Sequence, residues 1–142
     1  MFRDSSFQFK LLRKFELDST AYMEFGAGQC DNIYWKLDSY YAEEDEFFVV
    51  EGIIKKHFIS FDHYGNSDIP KNIGINIIND LTTAIKILED NIEKGFTYLK
   101  LSDYWKKIFV NAKELIIKYL HEIVNAWSTI YKSNDCLFIY GL

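Results

Sequence analysis

The sequence predicts an α+β fold: an antiparallel sheet built mainly from the N-terminal half, two main helices (about 70–94 and 103–132) packed on it, and a short C-terminal strand, in one domain spanning 1–142. Three observations predict it. Apolar residues alternate with polar ones before Pro70 and recur at helical spacing after it. Turn-forming residues cluster just ahead of that change, in His63-Tyr64-Gly65-Asn66-Ser67-Asp68. Hydrophobic residues make up 49% and charged residues 26% of a 142-residue chain, which suits one substantial core at the commonest domain size. Strands followed by helices argue for a sheet with helices on one face.

The elements follow in order. Phe7, Phe9, Leu11, Phe15 and Leu17 alternate as in a half-buried strand. Ser19-Thr20 reads as a polar turn. Ala21 to Phe25 is a short strand closed by Gly26 and Gly28, and Asn32 to Leu37 is another. Phe47 to Ser60, rich in Phe, Val and Ile, reads as a bent strand or a hairpin broken at Gly52. Pro70 suits the first turn of a helix. Ile77, Leu81, Ala84, Ile85, Leu88 and Ile92 keep its spacing, and Gly95 is placed to end it. Ser102 is a good N-cap with Asp103 at the positive end of the dipole. From Trp105 through Phe109, Leu115, Tyr119, Ile123 and Trp127 to Ile130 runs a broad apolar stripe, read as core. Cys136 to Tyr140 returns as a strand.

Charge narrows the function classes. At a net charge of −5 the chain is a poor partner for nucleic acid or an anionic membrane, and a basic protein suits it better. No apolar leader follows the first residues, and no run approaches the roughly 20 residues of a spanning helix, so the expected location is the cytoplasm. Cys30 and Cys136 have no metal-type spacing, and the sequence leaves open whether they meet in space.

The most distinctive feature is acidic. Between Asp38 and Glu51 stand six acids and no base: Asp38, Glu43, Glu44, Asp45, Glu46 and Glu51, with Tyr40 and Tyr41 just before the densest part. The plain reading is a solvated turn between two strands. The sharper one is a contact face for a basic partner, formed by Asp38, Tyr40, Tyr41, Glu43, Glu44, Asp45 and Glu46. The run lacks the glycine and spacing of a calcium loop. His57, Asp62 and His63 suggest an acid/base set, but no nucleophile or oxyanion loop accompanies them, and packing or turn hydrogen bonds explain them better. His121, alone on the last helix, reads as a surface residue. Gly26-Ala27-Gly28 lacks the Gly-Lys-Ser/Thr ending of a phosphate loop. No catalytic residue, cofactor or metal is expected.

The segment His57-Phe58-Ile59-Ser60-Phe61-Asp62-His63-Tyr64-Gly65-Asn66-Ser67-Asp68-Ile69 resembles a strand-to-helix stretch of immunity proteins from bacterial polymorphic-toxin and contact-dependent growth-inhibition systems, where an H-F-x-x-F-D-x-Y-G run leads into a helix. The resemblance covers about a tenth of the chain. It implies a single-domain inhibitor that binds a cognate toxin domain, such as a nuclease, and carries over no binding residue. The expectation is therefore a toxin-neutralising protein. The alternatives are a small enzyme using His57, Asp62 or His63, and an adaptor that pairs through a strand edge.

Overall fold

The computed structural model describes residues 7–18 and 21–142. The first six residues, where a leader would begin, and the Ser19-Thr20 pair lie outside the described residues. The element order is β1 (Tyr22–Ala27), β2 (Tyr40–Glu43), α1 (Glu44–His57), β3 (Asn66–Pro70), α2 (Lys71–Asp90), α3 (Ile92–Tyr98), α4 (Asp103–Ile108), α5 (Lys113–Ser133) and β4 (Cys136–Gly141). The fold is α+β, with an antiparallel sheet and the C-terminal strand the sequence predicts.

The four strands lie in the order β2-β1-β4-β3. Register sets Phe25 against Tyr40 and Ile139, and Glu24 against Tyr41 and Tyr140. Alternation then sorts the side chains. Met23, Phe25, Ala42, Ile69, Leu137 and Ile139 enter the helix-covered core. Tyr22, Glu24, Tyr41, Phe138 and Tyr140 point the other way and are buried too, outside that cluster. Their cover is the 28–39 connection. The buried Glu24 carboxylate accepts hydrogen bonds from Trp35 N (2.7 Å), Lys36 N (2.9 Å) and Ser39 Oγ (2.6 Å), pinning that connection across the sheet. Asp31 N donates to Tyr140 Oη, and Cys30 N donates to Asp68 Oδ1. Asn32–Leu37 is thus this covering strap and not a strand.

Four further expectations are corrected. Phe47–Ser60 is not a strand: residues up to His57 belong to α1. Its first turn holds Glu44, Asp45 and Glu46 and its last Lys55, Lys56 and His57, each sign at the end of the dipole it favours. Gly52 lets that helix approach the chain at Leu99, because a Cβ there would strike the Leu99 carbonyl oxygen. The segment 7–17 forms no strand beyond a single antiparallel bridge, in which Leu12 and Tyr41 exchange backbone hydrogen bonds of 2.8 Å. Gly95 does not end the first long helix. That helix stops at Asp90, Asn91 caps α3 by accepting from Lys94 N, and Gly95 sits inside α3 against Leu88. The second expected helix is divided between α4 and α5, with the expected Ser102 cap accepting from Trp105 N. Among the described residues, no helix is long and apolar enough to cross a membrane.

Candidate functional site

The acidic segment is the β2–α1 junction rather than a turn between strands, and this changes which of its residues reach the surface. Asp38 is exposed, and its carbonyl accepts from Arg13. Tyr40 is half-buried, stacked on Phe25 at 5.4 Å with the Arg13 guanidinium 4.2 Å from its ring centroid. Tyr41 is fully buried beneath the strap, stacked on Trp35, and its hydroxyl donates to Lys36 O at 2.7 Å. Burial, with the Glu24 charge behind it, pushes its phenol well up. Glu46 is 2% exposed and accepts from Gln8 N at 2.9 Å. Burial raises its carboxyl above the ordinary range. Tyr41 and Glu46 are therefore interior residues, one fixing the strap and one fixing the N-terminal arm, and neither is placed to touch a partner. Glu43, Glu44 and Asp45 are half-buried at the start of α1.

His57, Asp62 and His63 do not form one constellation. His57 Nε2 pairs with Asp80 Oδ2 at 2.5 Å. That carboxylate also accepts from Lys56 Nζ at 2.9 Å and Tyr98 Oη at 2.6 Å, tying α1, α2 and α3 together. Burial pushes the Asp80 pKa up, and the bonds from Tyr98, His57 and Lys56 outweigh it, leaving about 2. Asp62 folds the following turn by accepting from Tyr64 N at 2.9 Å.

His63 occupies a different place. Its ring is 6% exposed and stacks on Phe48 at 4.3 Å, nearly parallel at 8°. Nδ1 is hydrogen-bonded to Glu51 Oε2, and Nε2 lies 3.4 Å from Glu44 Oε1, an ion-pair distance without hydrogen-bond geometry. Burial opposes the imidazolium, but the bond and charge of Glu51, and then of Glu44, prevail and raise its pKa. The stacking continues from Phe48 to Trp105 at 4.9 Å and from Trp105 to Phe109 at 5.0 Å. Tyr64 meets His63 edge-on at one end of the stack, and Tyr104 meets Trp105 edge-on partway along it, before the buried Phe109. A cleft of about 280 Å³ opens beside this stack, walled by Phe48, Glu51, Gly52, Lys55, Leu101 and Trp105.

Sequence reasoning missed this site. Glu51 was legible only as part of an acidic run and Tyr64 only as part of a turn, while nothing singled out Phe48 or Tyr104. The signal was present: Glu44, Phe48, Glu51 and Lys55 fall at i, i+4, i+7 and i+11, one face of a helix. A strand reading of the segment scatters them over both faces.

Cys30 and Cys136 are free thiols on the strap side of the sheet. Cys30 Sγ donates to Ser67 O at 3.5 Å, and burial, followed by Asp68, pushes the thiol up to about 12, far from a reactive thiolate. Among the described residues, no group of three or more His, Cys, Asp or Glu is arranged to hold a metal ion. Comparison with known proteins finds no matching family model, curated protein or solved structure.

Proposed function

We propose that this chain is an immunity protein: an inhibitor that binds a cognate toxin domain in the cytoplasm of the producing cell and blocks it. The observation that carries the reading is the pair of exposed tyrosines, Tyr64 at 74% and Tyr104 at 59%, each set edge-on against one ring stack that runs beside Glu44. Tyrosine covers a large contact area at low entropic cost and is enriched among interface anchors. Carboxylates at the rim, in a chain of net charge −5, speed encounter with a basic surface. Resemblance supplies the class of partner. The His57–Ile69 segment similar to toxin-immunity proteins is the one that presents Tyr64.

The contact face proposed here keeps Glu43, Glu44 and Asp45 from the acidic segment and replaces Tyr40 and Tyr41 with Tyr64 and Tyr104. Co-expression with the product of the gene immediately upstream, as the candidate toxin, tests it. Wild-type chain should restore growth. Tyr64→Ala with Tyr104→Ala should abolish protection while folding normally, each change speeding dissociation at a cost of about 2 kcal/mol. Asp45→Asn with Glu43→Gln should slow association and flatten its salt dependence. Equal killing with and without soluble wild-type chain would rule the reading out.

A further inference from the structure

Both nitrogens of the His63 ring face carboxylate oxygens, Nδ1 that of Glu51 and Nε2 that of Glu44. A neutral imidazole carries one N–H, so one nitrogen would then turn its lone pair toward a carboxylate. Only the imidazolium suits both. The ring has no room to escape, because Phe48 covers its face and Tyr64 meets it edge-on. Behind it, the His63 carbonyl lies so close to Gly141 that a Cβ there would strike it. The charged groups around it come from three elements. Helix α1 supplies Glu44 and Glu51, and one turn further on Lys55, which with Lys100 of the α3–α4 connection lines the cleft beside Glu51. The turn itself supplies the Tyr64 phenol. Glu51 is 3% exposed, and its second oxygen, Oε1, has no hydrogen-bond partner. The imidazolium is therefore the main compensation for a buried negative charge, and its loss would leave that charge uncovered.

We propose that His63 is a proton-operated latch: protonated, it holds the 58–65 turn and Tyr64 against α1, and on losing the proton it releases them and weakens partner binding. The inference rests on the reading of this face as the partner surface. The sign follows from linkage. A histidine whose pKa is raised in the folded state contributes stability that is full below its ordinary value and is lost as pH rises through the raised one. The turn is therefore tight below the ordinary histidine value and opens as pH rises through the raised one.

The test begins with the free protein. The His63 ring resonances and amide hydrogen exchange are followed across pH, with exchange corrected for its intrinsic pH dependence. The ring should titrate above a histidine in a short peptide, and amides of residues 60–66 should lose protection in step with it while those of α2 and α5 do not. Glu44→Gln, at a half-exposed position, should lower both midpoints together. Protection of the turn that stays constant through the His63 titration, or midpoints unmoved by Glu44→Gln, would overturn the latch. In the second arm, affinity for the toxin domain should fall at least about fivefold across the same titration. A flat affinity beside an opening turn refutes the coupling. No binding at any pH refutes the partner reading instead, and the free-protein arm still decides the latch.

Discussion

Asp80 accepts from His57, Lys56 and Tyr98, and those three donors come from two helices other than its own. Its carboxyl is held at about 2 against an ordinary 3.8. The group is depressed, so its contribution is present above 3.8 and is lost as pH falls toward 2. Asp80→Asn should cost about 1–2 kcal/mol in urea melts at neutral pH, and the gap to wild type should close through that acidic window. A gap of the same size at both ends would remove Asp80 as the cause. Gly74 makes a steric case. A Cβ there would strike the hydroxyl end of the Tyr131 ring, whose hydroxyl donates to Ile69 O at 2.8 Å. Gly74→Ala should destabilise by about 1–3 kcal/mol, read as a lower melting temperature, although alanine favours helices. Such roles were the least legible part of the sequence. Tyr41, Glu46 and Glu51 look like surface groups in an acidic run, and only the strap over Tyr41 and the placement of α1 for the two glutamates show that all three are interior.

Elements were legible where one period ruled. The spacing of α2 and α5 stood out because each buries one continuous stripe, as with Ile77, Leu81, Ala84 and Leu88. Helix α1 was read as a strand because Val49, Val50, Ile53 and Ile54 favour strands, and tertiary burial overrode that preference. The N-terminal segment teaches the converse. Its burial does alternate, with Phe7 and Phe9 buried and Gln8 and Lys10 exposed. Yet Phe9 has a φ of 47°, a left-handed conformation that breaks the pleat, and the segment instead hangs on carboxylates: Gln8 N donates to Glu46 and Leu11 N to Glu122. Asn32–Leu37 reads as a strand in the sequence, although its polar partner Glu24 lies in plain view. Glu24→Ala should strip three donors of their acceptor and cost about 3 kcal/mol or more. It should also open residues 28–39 to limited proteolysis. A variant as resistant as wild type would show that the strap is held by its ring contacts alone.

The fold class was legible because it depends on the sum of many local periods, which tolerates several misread elements. Strand order was not, since nothing in a short apolar run states which edge it joins. Here β4 lies between β1 and β3, which do not touch each other, and the helices α2 to α5 separate it from both in the chain. On a ribosome, where the chain appears from its N-terminus onward, β1 can pair with β2 soon after both emerge. Strand β3 has no neighbour in the sheet until Cys136–Gly141 is made. Until β4 emerges the chain must hold one strand pair, a lone strand and a set of amphipathic helices with the central position of the sheet vacant, a situation that favours slow closure and invites wrong pairing. Nascent chains stalled before Cys136 should stay protease-sensitive, and those stalled with β4 clear of the exit tunnel should not. Native structure is thus delayed until translation has delivered the strand that joins β3 to the β1–β2 pair.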